Sequence, residues 1–454
     1  MDVSSLYRPL KGLTLYMVSL GCSKNLVDSE RILNSFLSLG CQIVEGAGEA
    51  DILVVNTCSF IEAATKEALE NLFYLSSQKK EGAFLVVIGC LVSRYGRKFS
   101  QHFVEADLFV PPGQYQNLPA LVASLMGRES ALIDEPFENW PRSLATPPWR
   151  AWLKISEGCN RNCAYCLIPS IRGPYKPKSL ERLKYEASLL VSSGVKEITM
   201  VAQDLTAWHE GELKFGDLVQ SLAELEGLVW LRLMYAYPDD LTEKLVKRLA
   251  ICGGALIPYL DMPLQHASAS LLRRMNRKAI SPLKLVKSIR DWWPEAALRS
   301  TLMVGFPGET ESEFEQMLKL VEEAKFENLG VFKFSPEEGA RAAKLPDQIP
   351  ASIKEKRRRT LMAKQRAISK AINKKRIGST LTVLVEGASE DSPLVMVGRA
   401  TFQAPEVDGL IYFDGQQPKA GQIVEVKIIK SSDYDLVGRV NYPSLKQGAC
   451  KSQG

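Results

Sequence analysis

Six short apolar runs, each followed by a helical pattern, limit what this chain can fold into more than any other feature. WLKIS, KEITMV, VWLRLMY, LIPYLD, RSTLMV and LGVFKF are spaced like the strands of successive βα units. Six such units predict an α/β fold, a partial (βα)6 version of the parallel barrel. In barrels of this kind the loops leaving the carboxyl ends of the strands build the active site. Here those loops begin with Cys159, Gln203, Tyr237, Gln265, Gly305 and Ser335.

A chain of 454 residues leaves room for two further domains at roughly 150 residues each. Upstream, LTLYMVSL, an amphipathic stretch from Leu26 to Leu39, DILVVN, a helix from about Ile61 and AFLVVIG predict a parallel α/β domain over 12–130. A linker rich in proline and tryptophan, Glu135 to Trp149, leads into the barrel domain, 145–375. Eleven lysines and arginines against the single Glu355 mark Lys354 to Arg376, a stretch that reads equally as a solvated helix face or as a nucleic-acid contact. LTVLVEG, LVMVGRA, LIYFD and IVEVKII then predict a small antiparallel β-barrel over 376–443, followed by a polar tail carrying Cys450 and expected to be disordered. The first residues lack the pattern of a secretory signal and no stretch is apolar enough to span a membrane, so a cytoplasmic protein without a membrane partner is expected.

Nine cysteines, an odd and sparse set, argue against a disulfide framework and for metal ligation or reactive thiols in a reducing compartment. Cys159, Cys163 and Cys166 form C-x3-C-x2-C where the first barrel strand ends. Three thiolates there can hold a four-iron cluster and leave one iron open to bind a substrate. A structural zinc site is the competing reading, but zinc takes four ligands and no fourth cysteine or nearby histidine completes this group. In the first domain Cys22, Cys58 and Cys90 each follow an apolar strand run: MVSLGC, LVVNTC and LVVIGC. The carboxyl ends of parallel strands share one sheet edge, so three cysteines distant in sequence can converge there. Cys41 and Cys252 lack this pattern and read as core residues.

After the fifth barrel strand, GFPGETESEFEQML runs from a glycine-rich turn into a helix opened by a Thr310/Glu313 capping box. Gly305 and Gly308 there would permit close approach of a ligand. Gln203, Asp204, Arg232, Asp261, Gln265 and His266 are candidate ligand or substrate contacts, or else rim-holding hydrogen bonders, and His266 is the histidine placed for a general base.

The C-x3-C-x2-C motif resembles that of the S-adenosylmethionine radical enzymes, in which the open iron binds the methionine end of the cosubstrate and one electron releases a 5′-deoxyadenosyl radical. Tyr165 stands where that family places an aromatic beside the adenine. The order of parts across nearly the whole chain is similar to the methylthiotransferase superfamily, with its cluster domain, radical barrel and terminal TRAM domain. SLGCSKNLVDSE, NTCSFIEAA, KISEGCNRNCAYCLIP, RLMYAYP, YLDMPLQHAS, RSTLMVGFPGETE and APEVDG look like its RimO branch. Lys176-Pro177-Lys178 and EGARAA depart from that branch's usual wording without touching a cysteine. The resemblance implies two [4Fe-4S] clusters, an auxiliary one on Cys22, Cys58 and Cys90 and a radical one on Cys159, Cys163 and Cys166. It also implies S-adenosylmethionine as cosubstrate, a reductant protein, and methylthiolation of an aspartate β-carbon in ribosomal protein S-twelve, free or in the small subunit, with ribosomal RNA contact if modification accompanies assembly. Two alternatives stand beside it: the transfer RNA branch, and a non-catalytic iron–sulfur carrier. Nine acidic against six basic residues between Arg376 and Tyr442 disfavour a phosphate backbone and suit a basic ribosomal protein.

Overall fold

The computed structural model describes residues 8–129, 132–278, 280–415 and 418–440; the tail with Cys450 lies outside them. Five parallel strands open the fold: β1 (Thr14–Ser19), β2 (Gln42–Ile43), β3 (Ile52–Thr57), β4 (Phe84–Gly89) and β5 (Leu108–Val110), in the order β2-β1-β3-β4-β5. β3 is buried along its whole length because both faces of the sheet are covered. Ile52, Val54, Val86 and Ile88 pack with Ile32 and Phe36 of α1 (Ser23–Ser38). Leu53, Val55, Leu85 and Val87 pack with Ala68, Leu72 and Leu75 of α2 (Glu62–Gln78). Double coverage is what makes a parallel strand read as an unbroken apolar run.

The six expected barrel strands are β6 (Arg150–Lys154), β7 (Glu197–Val201), β8 (Trp230–Leu233), β9 (Leu256–Gln265), β10 (Ala297–Val304) and β11 (Asn328–Lys333). They pair in parallel and in sequence order as one open sheet. Leu153, Met200, Leu231, Leu260, Leu298 and Leu302 join the main core with the outer helices. Trp152, Trp230 and Tyr259 point the other way and meet Val27 of α1 and Leu384 and Ala404 of the carboxyl-terminal domain, so the neighbouring domains fill the concave side. The Glu135–Trp149 linker is packed rather than loose: Trp140 is buried, and Arg142 bridges Glu30 of α1 and Glu186 of the barrel.

The last domain is a closed barrel of β12 (Thr380–Ser389), β13 (Ser392–Ala400), β14 (Ile411–Asp414), β15 (Ile423–Ser431) and β16 (Leu436–Val440). The four expected strands are present. The fifth, β16, escaped the sequence reading because LVGRV is short and glycine-interrupted, and it pairs in parallel with β14, so the barrel is antiparallel except along that seam. The basic stretch is one 25-residue helix, Ala351–Lys375. Most of its charge is used internally: Lys354 donates to Phe334 O, Arg357 pairs with Glu311, Arg358 and Arg359 with Glu355, Lys364 with Glu322, and Arg366 and Lys370 with Asp433. No helix among the described residues is long and apolar enough to cross a membrane.

Candidate functional site

Cys22, Cys58 and Cys90 come together at the carboxyl edge of β1, β3 and β4, three adjacent strands. Cys22 precedes the first residue of α1, and Cys90 opens α3 (Cys90–His102), so two of the thiols sit at helix amino termini, where backbone N–H groups favour negative charge. The turn after β1 lies so close to Cys58 that a Cβ at Gly21, φ +92°, would stand 2.9 Å from the Cys58 sulfur. Asn25 fastens the group: its Nδ2 donates to Leu20 O at 2.8 Å and Thr57 O at 3.2 Å, while the Thr57 hydroxyl donates to Ile88 O and accepts from Leu91 N.

Burial pushes the Cys90 thiol up to about 11 and raises that of Cys58. Burial also pushes on Cys22, but the Lys24 ammonium, the N–H groups of Asn25 and Lys24, and Arg172 outweigh it and leave that thiol below its ordinary value. Cys22 is exposed, whereas Cys58 and Cys90 are buried.

The second triad occupies the loop between β6 and α4 (Ile168–Arg172). Gly158 enters it at φ +67°, with the space a Cβ would take only 2.2 Å from Pro174 O. The Cys159 sulfur accepts from Arg161 N at 3.3 Å and the Cys166 sulfur from Ile168 N at 3.4 Å. Hydrogen bonds of this kind stabilise ligating thiolates. Ala164 N donates to Met275 O, Ala342 N to Ala164 O, and Asn276 Nδ2 to Asn162 O, so loops from other barrel strands brace the cysteine loop. Burial pushes Cys166 up to about 12 and Cys159 in the same direction. Among the described residues no three His, Cys, Asp or Glu side chains converge on a single-ion site. Within each triad the thiols are electrostatic neighbours of one another.

Around the second triad, Tyr165 accepts from Arg277 at 3.2 Å, and Tyr237 lies between the guanidiniums of Arg161 at 4.0 Å and Arg277 at 4.5 Å. Arg161 in turn holds Asp204 at 2.7 Å. Gln203 Oε1 is buried without a hydrogen-bond partner, as a group awaiting a polar ligand is. Inside the barrel the Lys24 ammonium stands 4.0 Å from the Tyr235 ring, and Tyr235 N, at a residue with φ +68°, donates to Asp261. Burial raises Asp261 to about 6 against the pull of Arg299.

Several candidate contacts take other roles. Arg232 is fully buried within β8, where it binds Glu197 and Thr401 O and pins the terminal barrel. His266 has no exposure; its Nδ1 accepts from Ser268 N and its Nε2 lies 3.7 Å from Glu309, whose other oxygen accepts from Gly305 N. It stands beside the glycine turn with Nε2 buried and without a hydrogen-bond partner. Gln265 sits at an irregularity of β9 with φ +72°. The space a Cβ would take at Gly305 is filled by Lys354 and at Gly308 by Arg274, so on that side each glycine admits a protein side chain. Sequence reasoning missed Asn25, Arg161, Arg172 and Arg277, whose partners lie up to 147 residues away.

Three family models match in the order of the domains: the uncharacterized protein family UPF0004 over 14–111, the Radical SAM superfamily over 153–321 and the TRAM domain over 377–440. The chain is 42% identical to the ribosomal protein uS12 methylthiotransferase RimO of Anaeromyxobacter sp. (strain K), across 94% of this chain and 93% of the relative. It is 40% identical to the protein of that name from Clostridioides difficile (strain 630), across 95% and 99%. Among solved structures it shares its fold with the radical S-adenosylmethionine methyltransferase TsrM from Kitasatospora setae, solved with cobalamin and a [4Fe-4S] cluster, at a TM-score of 0.55 and 12% identity over 85% of this chain and 82% of the other. Domain order and near full-length identity agree: the chain belongs to the RimO family of radical S-adenosylmethionine methylthiotransferases.

Proposed function

We propose that this methylthiotransferase acts on the β-carbon of an aspartate in small-subunit ribosomal protein uS12 and carries two [4Fe-4S] clusters. Family membership makes it a radical S-adenosylmethionine enzyme with a [4Fe-4S] cluster. The observation that carries the two-cluster reading is adjacency: Cys90 packs with Leu167 and Ile171, the former directly after Cys166. In this reading Cys159, Cys163 and Cys166 hold the radical cluster, Cys22, Cys58 and Cys90 hold the auxiliary one, and Tyr165, Gln203, Gly305 and Gly308 wall the cosubstrate site. When bound, these groups supply a reducing electron, a hydrogen-abstracting radical and a transferable sulfur.

The chain's own residues bind and orient. Gln203 offers its unpartnered oxygen to a ligand donor, and the arginine pair on Tyr237 fixes that ring beside Tyr165. Lys24 lies inside the barrel without an ion pair among the described residues, a cation available to an aspartate side chain. Ribosomal RNA contact, in this reading, runs through Lys356, Lys374 and Lys375, the exposed cations of the basic helix without an ion pair among the described residues. A reductant protein and a cytoplasmic setting belong to the same proposal.

The test is mass spectrometry of uS12 and of transfer RNA offered in parallel to the anaerobic holoenzyme and to its Cys58→Ala variant. The variant is expected to release 5′-deoxyadenosine from S-adenosylmethionine yet leave uS12 at its unmodified mass. Full product from the variant, or modification of the transfer RNA alone, overturns the proposal.

A further inference from the structure

Arg172 closes α4 six residues after Cys166, yet its guanidinium works across the domain boundary. Nη1 donates to Asp28 at 2.7 Å and Nη2 to Asn25 at 2.5 Å, both in α1 just behind Cys22. The side chain is 2% exposed and lies against the Cys90 thiol. Asn25, which receives this bond, is the residue that ties the turns bearing Cys22 and Cys58. Lys154 bridges Asp28 and Glu157, and Glu157 also faces Arg172, so this quartet, buried except at Glu157, is neutral in itself and turns a cation toward the thiols. Its charge acts on all three of Cys22, Cys58 and Cys90.

Three thiolates around an iron–sulfur core carry net negative charge, and one added electron makes it more negative. A buried cation beside ligating sulfurs stabilises the reduced form more than the oxidised one. We infer that Arg172 is a positioning and charge-compensating residue for the auxiliary cluster, supplied across the domain boundary by the loop that carries the radical triad, and that it raises that cluster's reduction potential. The inference rests on the reading that Cys22, Cys58 and Cys90 hold such a cluster. It also makes the two centres interdependent, because the guanidinium that steadies one is fixed by the chain segment that ligates the other.

The test uses the full chain with Cys159, Cys163 and Cys166 changed to alanine and reconstituted anaerobically, so that only the auxiliary triad can hold iron. Iron and sulfide analysis comes first; a chain without iron at this stage sinks the cluster reading and is distinguishable from failure of the inference. Electron paramagnetic resonance during a dithionite titration then gives the midpoint potential. Arg172→Gln is expected to disfavour reduction tenfold or more, which is about 59 mV for a one-electron couple. Asp28→Asn removes a carboxylate from the same guanidinium and is expected to shift the potential the opposite way. An unchanged potential in loaded Arg172→Gln, or shifts of the same sign in both variants as simple loosening of the interface gives, overturns the inference. If Arg172→Gln holds no iron, Arg172→Lys decides: a retained cluster near the parent potential supports the role of charge, and loss of iron here too refutes it.

Discussion

Glu197→Gln should undo the seam between the radical barrel and the terminal barrel. Glu197 is fully buried, accepting from Arg232 at 2.7 Å and from Arg399 of β13 at 2.5 Å. Burial pushes this carboxyl up, but Arg399 and Arg232 together pull it from an ordinary 4.5 down to about 2. At about 1.36 kcal/mol per unit, such a depression corresponds to about 3 kcal/mol of stability at neutral pH. Removing one partner from a buried pair costs about 3–5 kcal/mol by an independent route, because the other charge stays behind unpaired. The amide keeps the shape and removes the charge, so both routes apply to the same substitution. Urea unfolding followed by tryptophan fluorescence reads the effect, since Trp149 donates to Glu386 beside Arg399. The depressed carboxyl stabilises the fold above its unfolded value of about 4.5 and loses that effect as pH falls toward 2. Parent and variant should therefore differ by about 3 kcal/mol at pH 7 and converge below pH 4.5. A gap under about 1 kcal/mol at pH 7, the size of a surface pair, or one indifferent to pH, refutes the reasoning.

Two further outcomes are expected. Gly158→Ala places a Cβ 2.2 Å from Pro174 O at a positive φ, and should roughly halve the iron bound per chain by emptying the radical triad alone; unchanged iron content would count against that loop as a ligand. In the cluster-free protein at pH 7–8, iodoacetamide should modify Cys22 at least tenfold faster than Cys90, because the thiolate reacts and only Cys22 is both accessible and held below its ordinary value. Peptide mass spectrometry measures both rates, and equal rates would remove the electrostatic account of that triad.

The strands and the two triads were legible because their signals are local. An apolar run followed by a helical period marks a strand end, and a cysteine at that end inherits a known place on the sheet. Depth along a strand is not written so plainly. Arg232 and His266 looked like rim residues from their strands, yet one faces the terminal barrel and the other is sealed beneath the glycine turn. Gly305 and Gly308 also admit the Lys354 and Arg274 side chains on their Cβ sides, which no local pattern announces. Arg172 carried no signal of its own, since a guanidinium in a short helix declares its role only when Asn25 and Asp28 are folded against it.

The long basic helix has a mechanical side. Twenty-five residues at 1.5 Å each make a rod about 37 Å long. Near its front end the Lys354 stem lies under Gly305 and Arg357 grips the Glu309 carbonyl; farther back Arg366 and Lys370 clasp Asp433 in the turn before β16. One rigid element thus ties the turn before β16 to the floor of the glycine turn, and Leu361 between the two grips is sunk in the barrel core.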